Sequence, residues 1–127
     1  MELGPRRFAE TVVLSPAGRI DHATAEIFKT ALLAELDVES TGRDPVVLDL
    51  SGVEYIASVG LRALMLAARQ AKAQGRTLVV AALQPLVREV FEISRFTLLF
   101  SVFPSVRDAL AALSPAALAA FDGAASA

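Results

Sequence analysis

Two runs of β-branched and apolar residues, "VVLDLSGV" at 46–53 and "TLVVAAL" at 77–83, flank a stretch whose apolar residues recur at helical spacing. This arrangement decides most of what the chain can fold into. Each run is short and continuous rather than alternating, as expected of a strand buried on both faces of a parallel sheet. From Ser58 onward Leu61, Leu64, Met65 and Ala68 form one apolar face, Arg62, Arg69 and Lys72 fall largely elsewhere, and Gly75 stops the helix. Strand, helix, strand with short connections is a βαβ unit, which the twist of the strands makes right-handed.

The flanking segments extend this α/β unit. "FAETVVLSPAG" predicts one or two short strands ending in a turn at Pro16 and Gly18. In "DHATAEIFKTALLAEL", Ile27, Phe28, Ala31, Leu32 and Leu36 recur at helical spacing, with Asp21 as N-cap and Glu26 near the positive end of the dipole. "DVESTGRDP" breaks the pattern. Pro85 starts a helix with a stripe of Leu86, Val90 and Ile93, and its charges Arg88, Glu89 and Glu92 form a solvated face, with Arg88 and Glu92 at pairing distance. "LLFSVF" reads as a last edge strand. Ser105 and Asp108 stand at capping-box spacing ahead of Leu110 and Leu113. The expected organisation is one domain over 1–113 and an alanine-rich tail over 114–127, partly helical or frayed.

Composition narrows the function. A chain of 127 residues that is 54% hydrophobic can bury a real core, and a net charge of -2 with interspersed signs supplies no field for direct nucleic-acid binding. Without cysteine and with a single histidine, the chain cannot build thiolate metal sites, cysteine nucleophiles or a histidine-rich zinc site. Neither a bilayer-spanning segment nor a signal-peptide core is present, so no membrane insertion is expected, and the chain is expected to act whole in the cytoplasm. Glycine clusters able to cradle a nucleotide are missing, and no cofactor is implied. Asp49 lacks the acidic pair and lysine that a phospho-accepting aspartate requires, and reads as a structural residue bonded to nearby backbone.

Ser58 is where chemistry can reside, and three readings stand. A serine between strand and helix is ordinarily a cap, worth about 1 kcal/mol. As a nucleophile it would need glycines on both sides, where Ile56 and Gly60 stand, and a base, for which His22 is the sole histidine. As a phosphate acceptor it lies past the carboxyl end of a central strand and at a helix N-terminus, where an anion is held without unfolding while a docked partner meets repulsion and desolvation.

The segments "GRIDHATAE", "VVLDLSGVEYIASVGLRAL", "AKAQGRTLVVAALQPLVREVFEISRF" and "SVRDALAAL", in this order, resemble the STAS-domain anti-sigma factor antagonists, over nearly all of Gly18 to Leu113. The resemblance implies an α/β fold, a small mixed β-sheet of four to five strands backed by about four helices, and no catalytic activity. It implies that Ser58 is phosphorylated by an anti-sigma factor that is also a serine kinase, and that a metal-dependent serine phosphatase reverses this. The unphosphorylated form would bind the anti-sigma factor and free the sigma factor. The partner surface so implied comprises Asp21, His22, Ala57, Ser58, Val59, Gly60, Leu61 and Arg62, with no metal. Ala57 departs from the family, many of whose members carry aspartate before the serine. The same domain also serves as a scaffold in stress-signalling assemblies and as a soluble subunit of lipid-transport complexes.

Overall fold

The computed structural model describes residues 1–126. Five strands form the main sheet: β1 (Arg6–Phe8), β2 (Thr11–Leu14), β4 (Val46–Asp49), β6 (Leu78–Ala81) and β7 (Val102–Phe103), in the order β1-β2-β4-β6-β7. All neighbours are parallel except the hairpin β1–β2. The two apolar runs pair directly, Val46 with Leu78 and Val47 with Val79, and the crossover between them contains the central helix. This βαβ unit is the one the pattern predicts, and the α/β fold with a small mixed sheet is the one the resemblance implies.

A second parallel sheet of two strands, β3 (Ala17–Ile20) and β5 (Gly52–Ile56), stands beside it. The sequence reading places a turn at Pro16 and Gly18 and ends the apolar run at 46–53 without a new strand. The chain instead bends at Leu50 and Ser51, and β3 pairs with β5 through a register shift at Gly18 and Arg19, where Gly18 takes φ +96°. A glycine takes this conformation without a Cβ penalty.

Six helices complete the described chain: α1 (Ala25–Leu36), α2 (Val38–Thr41), α3 (Ser58–Ala73), α4 (Pro85–Ile93), α5 (Val106–Leu113) and α6 (Pro115–Ser126), with a 3-10 turn at Phe96–Leu98. One sheet face meets Phe28, Leu32 and Leu36 of α1, Ala63, Leu64 and Ala67 of α3, and Val87 and Phe91 of α4. The opposite face, with Val13, Val47 and Val79, is covered by Ala109, Leu110 and Ala117 of α5 and α6. Fully buried Phe28 and Phe91 each contribute roughly 2 to 3 kcal/mol of transfer free energy.

Several helical faces differ from the sequence reading. On α3 the buried residues are Gly60, Ala63, Leu64, Ala67 and Ala71, so Leu61, Met65 and Ala68 lie on the flank of the core. On α4 they are Val87 and Phe91, while Leu86 and Ile93 are 50% and 75% exposed. On α3 small residues and glycine carry the close contacts, and a count of large apolar residues therefore rotates that face. Asp21 is not the cap of α1. Thr24 holds that position, and Asp21 instead closes the turn ahead of it. Arg88 and Glu92 are both exposed and are not among the ion pairs of the described residues.

Two polar residues fasten the layers. Asp49, nearly buried, accepts the Ser51 N–H at 2.9 Å and the Ser15 hydroxyl at 3.2 Å, the structural role expected of it. Buried Arg76 donates to the carbonyls of Asp44 and Glu35 and to the Thr41 hydroxyl, tying the polar 37–45 stretch to the start of β6. Beyond α5, whose cap Ser105 accepts the Asp108 N–H, Ser114 caps α6, accepting from Ala117 and donating to Glu10, and Phe121 meets Phe8 edge-on at 5.3 Å. The part of the 114–127 tail at residue 127 lies outside the described residues.

Candidate functional site

β3 and β5 end side by side, Ile20 paired with Ile56, and each leads into a helix at the same edge of the molecule. After β5 the Ala57 N–H donates to the Ile20 carbonyl at 2.8 Å, and the Gly60 and Leu61 N–H groups donate back to the Ala57 carbonyl. Ala57, at φ -87° and ψ 170°, is therefore the N-cap of α3, with a side chain that cannot cap. Ser58 is the first helical residue. It is exposed, and its hydroxyl has no hydrogen-bond partner among the described residues. The cap reading of Ser58 is thus replaced by a free hydroxyl at the start of α3. Ser58 follows a strand of the two-stranded sheet, not a central strand of the main sheet.

Gly60 explains how α3 comes so close. A β-carbon built there would stand 2.7 Å from Ile20 Cγ2 and 2.7 Å from Ile56 Cγ1. Its face points into the core, and its part in the site is to seat α3 against the ends of β3 and β5. Leu61 is half-buried, while Val59 and Arg62 line two grooves. One groove, of about 410 Å³, runs between the first turns of α3 and the end of α4, lined by Ser58, Val59, Leu61, Arg62, Met65, Ser94 and Phe96. The other separates α3 from α1, where Ala25, Glu26 and Lys29 face Val59, Arg62, Ala63 and Leu66.

The turn from β3 to α1 forms the neighbouring wall. Asp21 accepts the Ala23 N–H at 3.0 Å and its own N–H donates to the Thr24 hydroxyl, whose one proton is shared between the Arg19 carbonyl at 2.7 Å and the Asp21 carboxylate at 3.3 Å. Partial burial pushes the Asp21 carboxyl pKa up. The hydrogen bonds from Ala23 and Thr24 and the charge of Arg19 outweigh it, leaving the group below its ordinary value. Arg19 lies 3.7 Å from the Asp21 carboxylate and 4.3 Å above the Tyr55 ring. His22 is exposed in this turn and has no hydrogen bond to Ser58.

Arg19, Tyr55, Ser94 and Phe96 are not among the residues the sequence singles out. The first two meet through the β3–β5 pairing, and the last two reach the groove because α4 folds back beside α3. Neither adjacency has a local signal. Around Ser94 and Phe96, two large apolar side chains, Ile93 and Leu98, are 75% and 81% exposed among polar neighbours. Among the described residues no group of three or more His, Cys, Asp or Glu is placed to hold a metal, and no helix is long and apolar enough to cross a membrane.

An exposed hydroxyl at the start of α3 thus stands beside the polar Asp21 turn and the groove lined by Val59, Leu61 and Phe96. The chain belongs to the STAS family: the family model described as "Mlab, STAS domain" matches residues 4–101. BtrV of Bordetella bronchiseptica, provisionally designated an anti-sigma factor antagonist, is 44% identical over 99 residues, covering 78% of this chain and 83% of BtrV. The fold is also that of a Thermotoga maritima protein with the same provisional designation, at a TM-score of 0.78 and 17% identity, covering 87% of this chain and 93% of that one. An anti-sigma factor antagonist from Mycobacterium paratuberculosis superposes at 0.71 with 26% identity, over 86% and 90% of the two chains. Within the STAS family the chain is thus of the anti-sigma factor antagonist type.

Proposed function

We propose that the unphosphorylated protein binds an anti-sigma factor that is also a serine kinase, through the surface around Ser58, and thereby frees a sigma factor. Phosphate transferred from ATP to the Ser58 hydroxyl ends the complex, and a serine phosphatase restores the binding form. The protein contributes an acceptor and a docking face, and supplies no catalysis of its own. The observation that carries this reading is the exposed Ser58 hydroxyl, which has no internal hydrogen bond to lose on modification.

The surroundings support it. The first turn of α3 offers unpaired N–H groups and no acidic side chain, so a phosphate there is tolerated by its own fold. A docked protein covering Val59, Leu61 and Phe96 would have to desolvate that same phosphate, which adds nearly two negative charges. Incubation with the cognate kinase and ATP, followed by mapping of the modified residue, tests the assignment: phosphate on Ser58 and its loss in Ser58→Ala are expected. Modification of the wild-type protein at another residue would overturn it.

The resemblance leaves a second reading, a soluble subunit of a lipid-transport complex. Co-purification distinguishes the two: the anti-sigma reading requires a kinase in the captured complex, and the other a membrane transport assembly.

A further inference from the structure

Arg62 stands four residues after Ser58 on α3, and both line the groove facing the end of α4. Residues four apart on a helix are surface neighbours, about 5 to 6 Å between their β-carbons, and long helical side chains lean toward the N-terminus. At this spacing the guanidinium can reach over Ser58. Arg62 is exposed, and among the described residues it has neither an ion pair nor a hydrogen bond. The nearest acid across the second groove, Glu26, is engaged by Lys29 at 3.0 Å. Arg95, between groove residues Ser94 and Phe96, is the other cation on that side, and the first turn of α3 has no acidic residue.

We infer that Arg62 is the receptor, within the same helix, for a phosphate on Ser58. In the unphosphorylated protein its guanidinium is free to meet an acidic group of the docking partner. Once Ser58 carries phosphate, the guanidinium folds back onto the phosphate oxygens, an arrangement that its planar fork of donors suits. Phosphorylation then acts on the surface twice, by adding an anion and by withdrawing a cation. Arg62 is a positioning residue here. It takes no part in phosphate transfer.

This inference rests on Ser58 as the modified residue, so its test places the phosphate without a kinase. Phosphoserine is incorporated at position 58 during translation in the wild type, Arg62→Gln and Arg62→Lys, and its second ionisation, ordinarily about 6, is followed by phosphorus NMR. The helix N-terminus and Arg95 are common to all three proteins, so a difference between them isolates Arg62. The phosphate of the wild type should bind its second proton about threefold more weakly than that of Arg62→Gln, with Arg62→Lys close to the wild type. Equal midpoints in the wild type and Arg62→Gln would overturn the inference. A kinase that ignores Ser58 would instead overturn the proposed function and leave this titration unaffected.

Discussion

Gly60 and Ile20 meet so closely that a β-carbon on the glycine would lie 2.7 Å from the isoleucine Cγ2, with Ile56 Cγ1 at the same distance on the other side. The spacing fixes how far α3 descends onto the ends of β3 and β5, and so where Ser58 is presented. Gly60→Ala gains up to about 1 kcal/mol of helix propensity, but forcing a methyl into this contact costs about 1 to 3 kcal/mol. A net loss of stability is expected in urea unfolding, together with weaker partner binding as α3 shifts outward. A stabilised Gly60→Ala protein would show that the contact relaxes freely.

Position 57 yields the opposite sign. Because Ala57 is the N-cap and has no side-chain acceptor, Ala57→Asp should stabilise the protein by about 1 kcal/mol, raising the midpoint of thermal or urea unfolding. Ser58→Ala, by contrast, removes no cap and should change stability by only a few tenths of a kcal/mol. A loss of about 1 kcal/mol in Ser58→Ala with no gain in Ala57→Asp would move the cap back to the serine. Ala57→Asp should also alter the rate of phosphate transfer, since the new carboxylate adjoins the acceptor.

The Asp21 turn makes stability depend on acid. Its folded pKa lies below the unperturbed 3.8, so the contribution of the carboxylate is complete above that unfolded value and is lost as pH falls through the lower folded one. Asp21→Asn should therefore be less stable than the wild type at neutral pH, and the gap should close on acidification below about 3.8. Unfolding curves across this range check it. A gap that is unchanged at low pH would mean that the carboxylate charge contributes nothing to the turn.

Ser58→Asp should separate binding from folding. A single carboxylate at the first helical position is favourable to α3 by a few tenths of a kcal/mol, yet it puts a charge into a surface that must become dry on docking. Melting temperature should stay level or rise slightly, while affinity for the anti-sigma factor falls. Comparable affinity for both proteins would count against docking at Ser58.

The main sheet was legible because continuous β-branched runs such as Val46–Asp49 have few alternatives to a parallel strand buried on both faces. That Ser58 and Arg62 lie together was legible from their four-residue spacing on one helix, and Asp21 joins them because Ile20 pairs with Ile56. The β3–β5 sheet was not, since Pro16 and Gly18 signal a turn locally and only the pairing with β5 makes Ala17–Ile20 a strand. Serine at the start of an apolar helical pattern also misplaced the cap by one residue, because the backbone bond from Ala57 to Ile20 sets the helix start. The far wall of the groove, Ser94 and Phe96, depends on how α4 lies beside α3, which no short stretch of sequence specifies.

Titration calorimetry of the cognate anti-sigma factor against the unmodified protein, and against the same protein carrying phosphoserine at position 58, tests the central claim most directly. Burial of a phosphate that must lose its hydration predicts an affinity loss on the order of 100-fold, about 2.7 kcal/mol, with the unfolding midpoint of the phosphorylated protein little changed. Equal affinities for the two forms would contradict the account.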